Sequence, residues 1–178
     1  LLEHYRNSPQ IMYIGGDNFQ FGRKRGGASY YFSNLINTCW GWATWRRAWK
    51  YNDFETLPKK ERSHIWDIQW RSSIVRNNGL FVLPNVNLVS NIGSGPLATH
   101  TQKMAHFLFV PAQKIKFPLI HPKTIEVNVK ASDYTSQFVF GPKIPKNKIV
   151  KLIESSIKVI LKKLNLFELI KKLYLKLI

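Results

Sequence analysis

The six tryptophans of this chain fall into two short runs, and this clustering constrains the fold more than any other feature. The runs are CWGWATWRRAW at residues 39–49 and IWDIQW at residues 65–70. Indole rings supply core volume or a flat face for a ligand, so a fold must pack them together or around something they bind. Asp67 is the one acidic residue in either run. We therefore expect a binding site at the tryptophan cluster, with Asp67 as its chemically active group.

The composition indicates a folded domain with anionic partners. A chain of 178 residues that is 44% hydrophobic can build a core of its own. The net charge of +17 favours nucleic acid, acidic phospholipid or a phosphorylated small molecule, without choosing among them. The single cysteine, Cys39, excludes an internal disulfide and a cysteine metal motif, which fits a reducing compartment.

Apolar runs and turn signals predict an α/β fold in three parts, residues 1–105, 106–145 and 146–178. Strands are predicted over 11–14 and 80–84, because both runs are apolar and bounded by turn residues. Helical spacing predicts helices over residues 43–49 and 59–76, and the second of these carries Asp67. The proline-containing stretch 106–145 is predicted to be irregular, residues 1–6 to be the last turns of a helix, and residues 22–29 to be a mobile basic loop.

The turn after the first strand places two polar side chains at its C-terminal edge. These are Asp17 and Asn18, in the sequence Gly-Gly-Asp-Asn. Ligands of open α/β sheets gather at such edges, so both side chains are candidates for contact with a substrate. Gly-Asp-Asn is equally typical of ordinary turn chemistry, and the sequence does not separate the two interpretations.

The C-terminal part, residues 146–178, has the pattern of a basic amphipathic helix. We expect the protein to be cytoplasmic. No signal peptide is visible, and lysines interrupt the apolar residues before they could cross a bilayer. Residues 147–178 either lie on an anionic membrane surface, as a peripheral contact at the inner face of the membrane, or dock on the domain or a partner. The apolar positions at helical spacing are Ile149, Ile153, Ile157, Ile160, Leu164 and Phe167.

Four motifs in order resemble a family of glycosyltransferases. They are residues 39–50, 66–70, 83–93 and the sequence Ala-Thr-His-Thr at 98–101. Together they resemble the C-terminal half of nucleotide-diphospho-sugar transferases, the GT-A-fold enzymes of a bacterial group described as hemolytic-protein-like. This group is distantly similar to the N-acetylglucosaminyltransferase I family. The resemblance covers residues 1–105 and implies a Rossmann-like GT-A domain, but it does not identify the sugar.

The resemblance implies the remaining parts of such an enzyme. Its N-terminal half holds a nucleotide-sugar donor and a divalent metal, Mn or Mg, with an Asp-x-Asp motif. This chain has no Asp-x-Asp, so we expect it to be the acceptor-side half, inactive alone. The acceptor would be a glycan or a lipid-linked acceptor in cell-envelope glycan biosynthesis.

The resemblance also assigns site residues. Asp67 becomes the general base that takes a proton from the acceptor hydroxyl in an inverting transfer. The acceptor-binding residues are Trp40, Trp42, Trp66 and Gln69, the donor-binding residues are Asp17 and Asn18, and the metal ligand is His100. Each has a plainer interpretation: Asp67 as a solvated helix acid or the partner of Arg71, several indoles as core, and His100 as a structural histidine.

Two other functions remain open. A carbohydrate-binding or scaffold protein would bind sugar without turnover. A nucleic-acid-binding module is disfavoured, because the tryptophans are clustered while most lysines lie far away in the C-terminal segment. We therefore expect no nucleic acid partner.

Overall fold

A computed structural model describes residues 1–35, 39–52, 65–93 and 110–139 of the chain. All of them belong to one compact unit, Leu1–Gly141. The predicted amphipathic helix over residues 146–178 lies outside the described residues, as does His100.

Three strands form a mixed sheet with the last strand in the centre. The strands are β1, Ile11–Ile14, β2, Tyr30–Ser33, and β3, Leu80–Pro84. The central strand β3 pairs in parallel with β1 and antiparallel with β2. A combination of helices with a mixed sheet and the strands over 11–14 and 80–84 are thus confirmed, whereas β2 was not predicted from the sequence.

Within the described part of the chain, three α-helices and one π-helical segment accompany the sheet. They are α1, Arg46–Trp49, α2, Trp66–Arg76, and α3, Val129–Tyr134, which continues into the π-helical segment Thr135–Val139. The predicted second helix is confirmed from Trp66 onward. Ile65 has extended dihedral angles, φ −98° and ψ 111°, so one continuous helix over 59–76 is wrong at that point.

The first predicted helix, over residues 43–49, is too long. Ala43 is extended and pairs with Ile14, each backbone N–H donating to the other's carbonyl at 2.9 Å. The Thr44 hydroxyl also donates to the carbonyl of Met12 at 2.6 Å. These contacts add residues 43 and 44 to the edge of β1, so the helix begins at Arg46. Tryptophan spacing could not reveal this, because extended and helical chains both allow it.

Two further predictions are corrected. Residues 1–6 form turns, and the N–H of Tyr5 donates to the carbonyl of Leu1 at 3.0 Å, but no α-helix is present in this segment. The stretch 106–145 is not irregular throughout, because α3 lies within it. Asn128 caps α3 by accepting a hydrogen bond from the N–H of Ala131 at 3.0 Å, a signal that a sequence search for helix N-termini can detect.

The core consists of two clusters of buried side chains. Along β3, Phe81 and Leu83 belong to the first cluster and Val82 to the second, as the two-residue period of a strand requires. The pairing of β1 with β3 is irregular between Ile11 and Tyr13, and Met12 and Tyr13 both join the first cluster. This cluster also contains Ala48 of α1 and Trp70 and Ile74 of α2. The helices that carry the tryptophan runs therefore pack on one face of the sheet.

Candidate functional site

The two tryptophan runs meet in one aromatic stack centred on Trp42. The Trp42 ring is stacked on Tyr13 of β1, with centroids 5.6 Å apart and an interplanar angle of 3°. From the other run, Trp66 lies 5.4 Å from Trp42. Trp49 lies 6.0 Å from Trp42 and 4.9 Å from Trp70. The expectation that the fold brings the two runs together is confirmed.

Burial divides the rings of this stack into a core part and a surface part. Trp70 is 1% exposed, whereas Trp49 is 40% and Trp66 is 44% exposed. The stack therefore runs from the hydrophobic core to the surface, and its outer indoles have faces that a ligand can reach. Of the predicted acceptor-binding tryptophans, Trp42 and Trp66 lie together here, while Trp40 packs edge-to-face against Phe19 at 5.6 Å.

The backbone packs closely against neighbouring atoms at the glycine between the first two indoles. Gly41 has a φ of +58°, and a Cβ on this residue would lie 2.4 Å from a methyl group of Val89. Its carbonyl oxygen would lie 2.8 Å from a Cβ on Gly16. The turn after β1 and the start of the tryptophan run can pack this closely only because both positions lack a side chain.

Asp67 lies in the first turn of α2 and is half-buried. One carboxylate oxygen, Oδ1, accepts a hydrogen bond from the N–H of Ile68 at 2.9 Å. A helix N-terminus favours a negative charge, because its first N–H groups lack intrahelical acceptors. Gln69 follows two residues later in the same helix and is also half-buried.

Cys39 and Tyr13 also lie near Asp67, and no sequence motif marked either residue as part of the site. Burial, a hydrogen bond to Asp67 and the charges of Asp67 and Asp17 raise the pKa of the Cys39 thiol to about 12. Burial and the charges of Asp17, Cys39 and Asp67 also raise the pKa of Tyr13. Cys39 opens the tryptophan run and Tyr13 precedes the Gly-Gly-Asp-Asn turn, and their nearness in sequence to these motifs was the only available signal.

Asp17 is an almost completely buried carboxyl group beyond the end of β1. Its side chain is 2% exposed, and its Oδ2 atom has no hydrogen-bond partner. Burial raises its pKa to about 8, against the opposing effect of a hydrogen bond from the backbone of the same residue. The carboxyl group is consequently protonated at neutral pH, and the predicted place at the strand edge is confirmed.

Asn18 ties the carboxyl ends of the parallel strands together. Its side-chain N–H₂ donates to the carbonyl of Pro84 at 2.5 Å, and its Oδ1 accepts from the N–H of Gln20 at 2.8 Å. Its backbone N–H donates to Oδ1 of Asn87 at 2.9 Å. These contacts give Asn18 a clear role in shaping the loop, whereas contact with a donor stays a prediction.

The described residues do not provide a ligand set for the divalent metal that the resemblance implies. Within residues 1–35, 39–52, 65–93 and 110–139, no three His, Cys, Asp or Glu side chains are arranged to hold a metal ion. The proposed metal ligand His100 lies outside these ranges. In the same part of the chain, no helix is both long and apolar enough to span a membrane.

Comparisons with known proteins add no relative. No family model, no curated protein and no solved structure matches this chain.

Proposed function

We propose that this chain forms the acceptor-binding side of a GT-A-fold glycosyltransferase that uses a nucleotide-sugar donor, with Asp67 as general base. One observation carries the proposal: a half-buried carboxylate at a helix N-terminus adjoins a stack of indoles whose outer rings are exposed. Two of the motifs that resemble nucleotide-diphospho-sugar transferases, residues 39–50 and 66–70, contain the indoles and the carboxylate of this arrangement. The resemblance therefore supports a role of these residues in sugar transfer.

The proposed reaction needs one base at the acceptor. The acceptor hydroxyl oxygen forms a bond to the anomeric carbon while the bond from that carbon to the nucleotide diphosphate breaks. Asp67 takes the hydroxyl proton as this occurs, and the nucleotide diphosphate leaves with the bonding electrons. Attack on the side opposite the leaving group inverts the anomeric configuration.

The surroundings of Asp67 suit a positioned carboxylate. The N–H of Ile68 and the Cys39 thiol both contact the carboxylate, which restricts its rotation. Trp66, its neighbour in the chain, packs against Trp42 with ring centroids 5.4 Å apart. A base must lie within hydrogen-bond reach of the proton it removes, so this restriction contributes directly to the rate.

The exposed indoles of Trp49 and Trp66 would bind the acceptor. Sugars present flat faces of C–H groups, and indole rings offer a large apolar surface for such faces.

The first test is activity of the protein expressed from its complete gene. Incubation with a panel of nucleotide-diphospho-sugars and glycan acceptors should release nucleoside diphosphate in step with glycosylated product. Replacing Trp66 by Ala should raise the KM for acceptor by about tenfold and change donor affinity little, because this indole is proposed to contact the acceptor and not the donor. Phe117, which is 78% exposed and outside the stack, gives the matched control Phe117→Ala.

A carbohydrate-binding protein without turnover is the second candidate, and the same exposed indoles favour it. It predicts that glycans bind and that Trp66→Ala weakens this binding. In that case no nucleoside diphosphate is released with any donor, and the transferase proposal is rejected.

A further inference from the structure

Three consecutive basic residues form a surface loop directly after the turn that carries Asp17. They are Arg23, Lys24 and Arg25, and glycines at positions 22, 26 and 27 flank them. Within the described residues the one ion pair is that of Arg6 with Glu3, so no carboxylate of this part of the chain neutralises the three cations.

Hydrogen bonds to the protein body hold the backbone of this loop. Oδ1 of Asn85 accepts from the N–H of Arg25 at 3.0 Å, and its Nδ2 donates to the carbonyl of Ala28 at 2.8 Å. The N–H of Arg23 donates to the carbonyl of Gln20 at 3.1 Å. Asn85 follows the central strand and Gln20 is fully buried, so both anchors belong to the rigid part of the fold.

Both arginine side chains are also fixed, and an aromatic ring contributes to this. The guanidinium carbon of Arg23 lies 4.4 Å from the centroid of the Tyr134 ring, and that of Arg25 lies 5.5 Å from it. Nε of Arg25 donates to Oε1 of Gln20 at 2.6 Å, and Nη1 of Arg23 points to the Gln20 carbonyl at 3.4 Å. A ring occupies the face of a guanidinium and leaves its N–H edge available for an anion.

The space above the loop is open. A Cβ added to Gly22, Gly26 or Gly27 would meet no atom within 4 Å. The two guanidinium groups are held in place, have no carboxylate partner among the described residues, and lie beside Lys24 and open space. Binding an anion there would cost little entropy, because the side chains are already ordered.

We propose that Arg23, Lys24 and Arg25 bind the phosphate or diphosphate group of a small molecule, with Tyr134 as the positioning residue. Guanidinium groups match the paired oxygens of phosphate in geometry, and three positive charges match the charge of a diphosphate. The proposal does not rest on the proposed transferase activity, because the contacts of Arg23 and Arg25 described above involve Gln20, Asn85 and Tyr134 and no residue of the tryptophan stack.

A calorimetric titration of the protein with inorganic pyrophosphate at 0.15 M salt tests the site. Arg25→Gln and Arg23→Gln should each weaken binding by about tenfold, because each removes charge-assisted hydrogen bonds. Arg46→Gln removes the same charge from an exposed position on α1 and should change the affinity by less than about twofold, since salt screens distant charges. A parallel titration with uridine diphosphate shows whether a nucleoside adds affinity, and binding of either probe with this variant pattern supports the site.

Two variants of Tyr134 separate a built site from general positive charge. Tyr134→Leu keeps all three cations but removes the ring, and should weaken pyrophosphate binding, whereas Tyr134→Phe keeps the ring and should bind as the natural protein does. Thermal unfolding verifies that each variant is folded. If Tyr134→Leu does not fold, the affinities of Arg23→Gln and Arg25→Gln for pyrophosphate decide whether the site exists. Equal losses for Arg25→Gln and Arg46→Gln, or no measurable binding of pyrophosphate, would overturn the proposal.

Discussion

Burial gives the two carboxylates of the candidate site different chemistry. Asp17 is 2% exposed and has an oxygen without a partner, so its neutral form is favoured at pH 7. Asp67 is half-buried and contacts the Ile68 N–H and the Cys39 thiol. A proton acceptor must be within reach of the hydroxyl it deprotonates, and the half-buried Asp67 meets this requirement whereas the buried Asp17 does not. Asp17 instead contributes a neutral polar group beneath the site.

The raised pKa of Asp17 predicts that the protein loses stability as the pH rises. Between its ordinary pKa of 3.8 and about 8, the unfolded chain gives up this proton while the folded chain retains it. The contribution is therefore complete below pH 4 and is lost progressively up to pH 8. Asp17→Asn should remove a slope of up to about 1.4 kcal/mol per pH unit from the free energy of unfolding.

Urea unfolding from pH 4 to pH 8 measures this slope. Asp133→Asn, at an exposed position of α3, is the control and should leave the slope unchanged. Parallel curves for the natural protein and Asp17→Asn would contradict the assignment of a protonated carboxyl group.

The Cys39 thiol reports on its contact with Asp67 independently of any activity. Because its pKa is raised to about 12, little thiolate is present at pH 8.5, and iodoacetamide should react more than about tenfold more slowly than with the unfolded chain. Asp67→Asn removes a negative charge and should accelerate the reaction, though only in part, since burial is the largest cause of the shift. Asp133→Asn, which removes a charge from an exposed position of α3, is the control and should react at the natural rate. An unchanged rate in Asp67→Asn would place Cys39 away from Asp67.

Single residues of the site differed in how far the sequence could predict them. Asp17, Asp67, Trp42 and Trp66 stood out because motif and turn chemistry mark them. Tyr13 did not, because a tyrosine in a short apolar strand is typical of any core. Its place beside Asp67 depends on the irregular pairing of β1, which the sequence does not encode locally.

At the scale of elements, α2 connects the core to the site. Its inner positions Trp70 and Ile74 are buried against the sheet, while Trp66 and Asp67 occupy its first turn at the aromatic stack. The packing of the inner positions therefore fixes where the carboxylate lies.

Two neighbouring positions of α2 test this packing. Ile74 is fully buried and Val75 is 44% exposed. Ile74→Ala should lower the free energy of unfolding by about 2–5 kcal/mol, because it leaves a cavity beside the sheet. Val75→Ala should change it by less than about 1 kcal/mol. Chemical denaturation of both variants gives the comparison, and similar losses at the two positions would mean that α2 does not pack on the sheet in this way.

The sequence predicted elements well where an apolar run stands between turn residues. Strands β1 and β3 meet this condition, and both are present. It failed for residues 43 and 44, because their extended conformation depends on pairing with β1, which no local pattern expresses. Strand β2 was not predicted, because it follows the basic loop directly and its residues do not alternate between polar and apolar side chains.

At the scale of the whole unit, the order of the strands brings distant motifs to one sheet edge. The carboxyl ends of β1 and β3 lie side by side because these strands are parallel, and Asn18 and Asn87 join the loops that follow them. Composition and periodicity predicted an α/β unit but could not predict that β3 takes the central position. The positive charge of the chain is not concentrated at Asp67. Part of it forms the separate loop at residues 23–25.

We propose that Asp67 removes the acceptor proton in a sugar transfer. The most direct measurement compares turnover and donor affinity of Asp67→Asn with those of the natural protein, using the chain expressed from its complete gene. We predict that kcat falls by at least about a hundredfold while the donor Kd stays within about twofold, and that Asp133→Asn behaves as the natural protein. Turnover of Asp67→Asn at the natural rate would show that Asp67 is not the general base.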